Sequence, residues 1–181
     1  MEVQQTLIKG LMIIRLTEFT DSRGFFLETQ KNSVIEAALG RPHRFAQTNH
    51  SRSAANVLRG FHTESLDKLI YVANGTALFV AADLRPGSPT FGRHERIMMG
   101  DLPGERVRVF VSEGLSNAFY CFTEVDYIND VSQEFDKTKR AGVRWNDPTR
   151  AVEWPTATPI VSDADLRLPF LAELSADGAA Q

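Results

Sequence analysis

"LDKLIYVANGTALFVAADL", residues 66–84, consists of two runs rich in β-branched and aromatic residues, split by Ala73, Asn74 and Gly75. Such side chains suit a pleated, half-buried surface, and Asn-Gly is turn chemistry. The stretch predicts two adjoining β-strands. The pattern recurs outward: "LMIIRL" (11–16) and "FFLETQ" (25–30) precede it, and "HERIMM" (94–99), "RVRVFV" (106–111), "NAFYCF" (117–122) and "VDYIND" (125–130) follow. Turn formers lie between them: "DSRG", "RPGSP", "LPGE" and "SEG". In "RVRVFV", period-2 alternation puts Val107, Val109 and Val111 on one face. Many short strands spaced by turns predict an all-β sandwich or jelly-roll barrel, not a parallel α/β sheet. Two helical segments join it. "NSVIEAALG" (32–40) has Asn32 or Ser33 as N-cap and Gly40 as its stop, and "SDADLRLPFLAEL" (162–174) begins at Ser162 and is interrupted at Pro169.

A chain of 181 residues suits one domain, read here as residues 1–175, with 176–181 as a disordered tail. Hydrophobic and charged fractions of 43% and 24% are those of a soluble globular protein. A net charge of −3 gives no electrostatic case for nucleic acid. The single cysteine, Cys121, cannot form an internal disulfide, which fits a reducing cytoplasm. "MEVQQTLIKG" lacks the pattern of a signal peptide. No apolar run approaches the ~20 residues that span a bilayer.

Chemistry concentrates around His62 in "VLRGFHTESLDK" (57–68). Histidine can take a proton near neutral pH, and lysine or arginine can hold an oxyanion or a phosphate. A buried structural histidine beside a surface lysine is the plainer reading. Strict alternation places His62, Glu64 and Lys68 on one parity and Arg59 on the other, although a bulge at Gly60 relaxes the parity. A barrel metal site wants clustered ligands, whereas His43, His50 and His94 are scattered, so no metal is expected. Phosphate-loop, dinucleotide and Gly-x-Ser-x-Gly signatures are all missing, so a nucleotide would be held by discrete arginines.

The order of the motifs is more specific than any one of them. "DSRGFFLE" (21–28), "QTNHS" (47–51), "VLRGFH" (57–62), "KLIYVANG" (68–75), "DLRPGSPTFG" (83–92), "VSEGLSNAF" (111–119), "WNDP" (145–148), "EWP" (153–155) and "SDAD" (162–165) run through most of the chain. In this order they resemble the dTDP-4-dehydrorhamnose 3,5-epimerase family, which acts on nucleotide-linked 4-keto-6-deoxy sugars. The resemblance implies a cupin-type jelly roll, a strand-exchanged homodimer, a nucleotide-diphospho sugar as ligand, and no cofactor or metal. It assigns His62 as general base, Lys68 as the cation at the developing O4 charge, and Asp165, with Asp163 as second choice, as the partner that orients the base. Arg23 and Arg59 match diphosphate-binding arginines. Phe26, Glu28, Gln47, Asn49, Asn117 and Asn129 match positions around the nucleotide or sugar, with Arg23 and Glu28 reaching in from the dimer mate. Phe135 matches an aromatic that stacks on the base.

The chain also departs from that pattern. The tyrosine that serves the family as general acid is replaced by Asn129, which cannot act as an acid. Tyr127 shares the strand face of position 129 but sits about 6.6–7 Å further along; it is the candidate replacement, with Tyr120 more distant. Asn117 stands where the family commonly has histidine, and the loop from His62 to Lys68 is shorter than usual. The leading reading is epimerisation at C3, C5 or both through an enolate. Its alternatives are a ketosugar isomerase or single-centre epimerase on another nucleotide sugar, a non-catalytic sugar-nucleotide-binding dimer, and a metal-binding cupin.

Overall fold

The computed structural model describes residues 1–134, 136 and 141–177. Two antiparallel sheets face each other. The six-stranded sheet runs β1 (Glu2–Gln5), β2 (Leu11–Arg15), β10 (Val107–Val111), β7 (Lys68–Asn74), β12 (Val125–Val131) and β5 (Gln47–Ser53). The five-stranded sheet runs β13 (Ala141–Gly142), β6 (Leu58–Thr63), β11 (Ser116–Cys121), β8 (Thr76–Ala82) and β9 (His94–Gly100). A separate hairpin, β3 (Glu18–Asp21) and β4 (Gly24–Leu27), forms a third, two-stranded sheet. With three short helices, α1 (Asn32–Leu39), α2 (Asp163–Leu166) and α3 (Leu171–Asp177), this is a cupin-type jelly roll.

Alternation decides what fills the space between the sheets. Val107, Val109 and Val111 of β10 point inward and pack with Ile70, Val72, Phe79, Phe119 and Val125. Arg108 and Phe110 take the other face, where Phe110 joins Met12, Ile14 and Leu69 beneath Ile35 of α1. The outer face of the second sheet is covered by the C-terminal segment, with Trp145, Val152, Trp154 and Leu171 against Leu58, Phe61, Val80 and Tyr120.

The helices refine the sequence reading. Gly40 ends α1 in the left-handed conformation at φ 67°, as expected. Its N-cap, however, is Lys31 and not Asn32 or Ser33, and it makes no side-chain capping bond. The Asn32 amide oxygen is occupied instead by the Gln30 side chain at 3.0 Å. Ser162 does cap α2, accepting from the Asp165 amide at 3.1 Å, and α3 begins past Pro169. Residues 178–181 lie outside the described residues.

The "DLRPGSPTFG" motif is a loop built around one buried carboxylate. Asp83, fully buried, accepts from Arg85 Nε and Nη2 at 2.9 and 2.8 Å, Ser88 Oγ at 2.5 Å and Thr90 Oγ1 at 2.7 Å. Burial alone would raise its pKa, but these donors and the Arg85 amide outweigh it and hold the carboxyl well below its usual range. A depressed folded pKa stabilises the fold above about pH 4 and loses that contribution as the pH falls toward the folded value. Asp83→Asn should therefore cost ~1.5–3 kcal/mol at pH 7, with a melting midpoint lower by several degrees. In thermal melts, the gap between variant and wild type should narrow as the pH falls below about 4.

Candidate active site

The cavity of interest lies between the sheets, where β5, β7 and β12 face β6 and β11. It has a volume of about 240 Å³ and is lined by Asn49, Ser51, Arg59, His62, Glu64, Lys68, Asn117, Phe119, Tyr127 and Asn129. On the six-stranded sheet, Asn129 of β12 lies opposite Asn49 of β5, and Tyr127 lies opposite Ser51. Inward-facing polar residues at the β5 end of this sheet make one end of an otherwise apolar sandwich polar.

Gly60 aligns the cavity wall on β6. Asn117 pairs with His62 and Phe119 with Arg59, so Gly60 and Phe61 together oppose the single residue Ala118. That bulge cancels the parity difference: Arg59 and His62 both line the cavity, while Phe61 turns outward to the C-terminal core. Gly60 adopts φ 118°, and a Cβ there would lie 2.6 Å from Ala118 Cβ and 2.7 Å from the Asn117 carbonyl oxygen. Gly60→Ala is expected to destabilise the fold by at least ~1–3 kcal/mol from backbone strain alone. Denaturant unfolding checks it; a midpoint equal to wild type would show that the bulge relaxes without consequence.

His62 Nε2 sits 2.8 Å from Asp165 Oδ1. The histidine side chain is 20% exposed and the aspartate 3%, so the pair opens to the cavity from one side only. The second Asp165 oxygen accepts the Gly60 amide at 3.3 Å, and the cap by Ser162 fixes the short helix that carries it. Asp163, the other candidate, is exposed on the same helix.

Lys68 begins β7 with its ammonium buried, bound to Asn117 Oδ1 at 2.7 Å and Glu64 Oε2 at 2.8 Å. Burial of an ammonium is tolerable where such partners replace its water. Glu64, one residue beyond β6, is held through its carbonyl by the Gly114 amide at 3.0 Å.

Tyr127 is buried and stacked on Phe119 with ring centroids 4.1 Å apart. Burial, then the negative Glu64, push its phenol pKa upward, so it holds its proton tightly. Asn129 buries its Oδ1 without a hydrogen-bond partner. Arg59 stands at the exposed mouth, with Nε on Ser53 Oγ at 3.0 Å.

The family profile described as dTDP-4-dehydrorhamnose 3,5-epimerase matches residues 5–173. This chain belongs to the dTDP-4-dehydrorhamnose 3,5-epimerase family. With that family it is an isomerase, an epimerase acting on carbohydrates. It is 34% identical over 172 residues to the dTDP-4-dehydrorhamnose 3,5-epimerase of Shigella flexneri, covering 92% of this chain and 93% of that one. To the dTDP-4-dehydrorhamnose 3-epimerase of Streptomyces niveus it is 34% identical over 171 residues, covering 92% and 82%. Among solved structures, NovW, a 4-keto-6-deoxy sugar epimerase of the novobiocin gene cluster of Streptomyces spheroides, superposes with a TM-score of 0.93 at 33% identity, covering 98% of this chain and 90% of that one.

The epimerase fold brings His62, Lys68 and Asp165 together and lines the same cavity with Asn49, Arg59, Asn117, Tyr127 and Asn129. Gln47, on the strand face of Asn49 but outside the lining, donates to Asn49 Oδ1 at 2.5 Å. Arg23, Phe26 and Glu28 are not at this cavity. Arg23 is 88% exposed and tied to Asp21, Phe26 is exposed, and Glu28 pairs with Lys31. All three belong to the separate hairpin or the residue just past it. Phe135 lies outside the described residues. Tyr120 is ruled out as an acid at this cavity: β11 turns it to the outer core, where its hydroxyl donates to Asn56 Oδ1 at 3.2 Å. Sequence reasoning missed Glu64, Ser51 and Phe119 as wall residues. The signals were present, since Glu64 shares the parity of His62 and Lys68 and Ser51 closes the "QTNHS" motif.

Proposed function

We propose that this epimerase acts on a nucleotide-diphospho 4-keto-6-deoxy sugar, with His62 as the base. The observation that carries the reading is the His62–Asp165 pair opening onto a cavity that also holds the buried Lys68 ammonium. A proton α to the C4 ketone is acidic because its loss gives an enolate, provided a base is in reach and a cation meets the oxygen. With Nε2 turned to Asp165, the imidazole presents its basic lone pair at Nδ1. Lys68 meets the O4 charge, and Arg59 at the mouth holds the diphosphate.

The reading includes a homodimer. Phe19, Phe25 and Phe26 expose more than half their surface on the hairpin, an apolar area that a second copy would cover. Arg23 and Glu28 then serve the second copy's cavity. No helix among the described residues is long and apolar enough to cross a membrane, and the buried Cys121 fits a reducing cytoplasm.

A single-centre outcome is the second reading. Asn129 has no acidic proton for the face opposite His62, so inversion at each carbon depends on another donor, and a donor in reach of one carbon alone gives a single-centre product. Incubation with dTDP-4-keto-6-deoxyglucose, borohydride reduction of the ketone and product analysis test both. Sugars inverted at C3, C5 or both are expected; recovery of only the gluco and galacto reduction products would refute the reading.

A further inference from the structure

Inversion at carbon needs two proton carriers, because a proton that leaves and returns on one face restores the original configuration. His62 is one. Asn129 carries no acidic proton, so another group must carry the second proton. Among the described lining residues, four further side chains have an ionisable proton: Arg59, Glu64, Lys68 and Tyr127. Arginine keeps its proton at all relevant pH. Lys68 is engaged as the oxyanion cation, held on both sides by Asn117 and Glu64. Tyr127 is a buried phenol clamped on Phe119, a poor source of protons.

We propose that Glu64 is the second proton carrier of this site. This rests on the epimerase reading above. His62 and Glu64 are two residues apart, but their tips are drawn in different directions, the imidazole to Asp165 and the carboxylate to Lys68 of the opposing sheet at 2.8 Å. The proposal places the sugar ring between these two tips, with one carrier on each side. The Glu64 side chain is 13% exposed, enough to reload from water.

The proton balance closes. His62 takes the proton as the C–H bond breaks, and the electron pair enters the enolate with its charge on O4. Glu64 takes a proton from a water molecule, and the hydroxide left behind is neutralised when the imidazolium gives up its proton. Glu64 delivers that proton to the same carbon from the other face as the ketone re-forms. Imidazolium then releases its proton to solvent, so no oxidant, reductant or co-reactant is consumed.

The test is Glu64→Gln beside Tyr127→Phe and wild type, each given dTDP-4-keto-6-deoxyglucose in D₂O. Deuterium uptake at C3 and C5 and inversion at those carbons are followed separately by proton NMR, and circular dichroism confirms the fold. Glutamine keeps a hydrogen bond to Lys68 but carries no transferable proton. In Glu64→Gln the ratio of inversion to exchange is expected to fall at least ~10-fold while exchange stays within a few-fold of wild type. Tyr127→Phe should leave the ratio unchanged. An unaltered ratio in Glu64→Gln, an equal loss of exchange and inversion, or a loss confined to Tyr127→Phe would each overturn the proposal. Wild type that neither exchanges nor inverts would overturn the epimerase reading itself, and this inference with it.

Discussion

His62→Gln is expected to lower kcat/KM for the proposed 4-keto sugar by about 10²–10⁴-fold, the usual range for a positioned general base. The substitution is chosen for what it keeps. Its amide can still donate to Asp165, so the buried carboxylate is not stranded, yet it cannot take a proton. The loss should fall on kcat while nucleotide affinity is retained, because the proposed diphosphate contact is elsewhere, at Arg59. Steady-state kinetics and dTDP titration separate the two. A variant with wild-type kcat would assign His62 to the structure and not to the chemistry.

Lys68→Met should reduce turnover by about 10²–10³-fold, the scale of losing one oxyanion donor. It has a second effect with a different origin. Glu64 and Asn117 both point their oxygens at this ammonium, and removing it leaves a carboxylate that is mostly buried without its charge partner. Breaking such a pair costs about 3 kcal/mol or more, so the melting midpoint should fall as well. Combining Lys68→Met with Glu64→Gln should restore much of the stability and none of the activity. Recovery of activity in the double variant would contradict the oxyanion role. Stability and catalysis thus read out different consequences of one ammonium.

Most of the barrel could be read from the chain because apolar side chains at period 2 report a buried face. Val107, Val109 and Val111 are the plainest case, and the Asn74-Gly75 turn between β7 and β8 follows the same logic. β5 was not legible in that way. "QTNHSRS" has no apolar residue, so its alternation of partly buried and exposed positions leaves no hydrophobic trace. That polarity belongs to the cavity, since Asn49 and Ser51 form part of its wall. Arg59 shows another limit: counting along the strand puts it on the wrong face, and the bulge opposite Ala118 reverses the count. The cap of α1 was misassigned because Asn32 and Ser33 are good capping residues by type, while the local bond from Gln30 decides otherwise.

The proposed catalytic group was legible only partly from physics. A histidine and a lysine in one short stretch are weak evidence alone, and Asp165 lies 103 positions from His62 in sequence. Resemblance to the family supplied that link, and the 2.8 Å contact agrees with it. Glu64 went unassigned because nothing in the resemblance marks it and a glutamate after a strand is ordinarily a solvated residue. Only its ion pair with a buried lysine sets it apart. Arg23 and Phe26 sit on the separate hairpin and Glu28 just past it, away from this chain's own cavity, so neither periodicity nor this chain's contacts ties them to the sugar.

Proton NMR of dTDP-4-keto-6-deoxyglucose in D₂O tests the central claim most directly, with wild type and His62→Gln run side by side. The account predicts that wild type erases the H3 or H5 signal and produces a new set of ring couplings, while His62→Gln leaves the spectrum unchanged over the same period. Exchange by His62→Gln at the wild-type rate, or none by wild type, would contradict it.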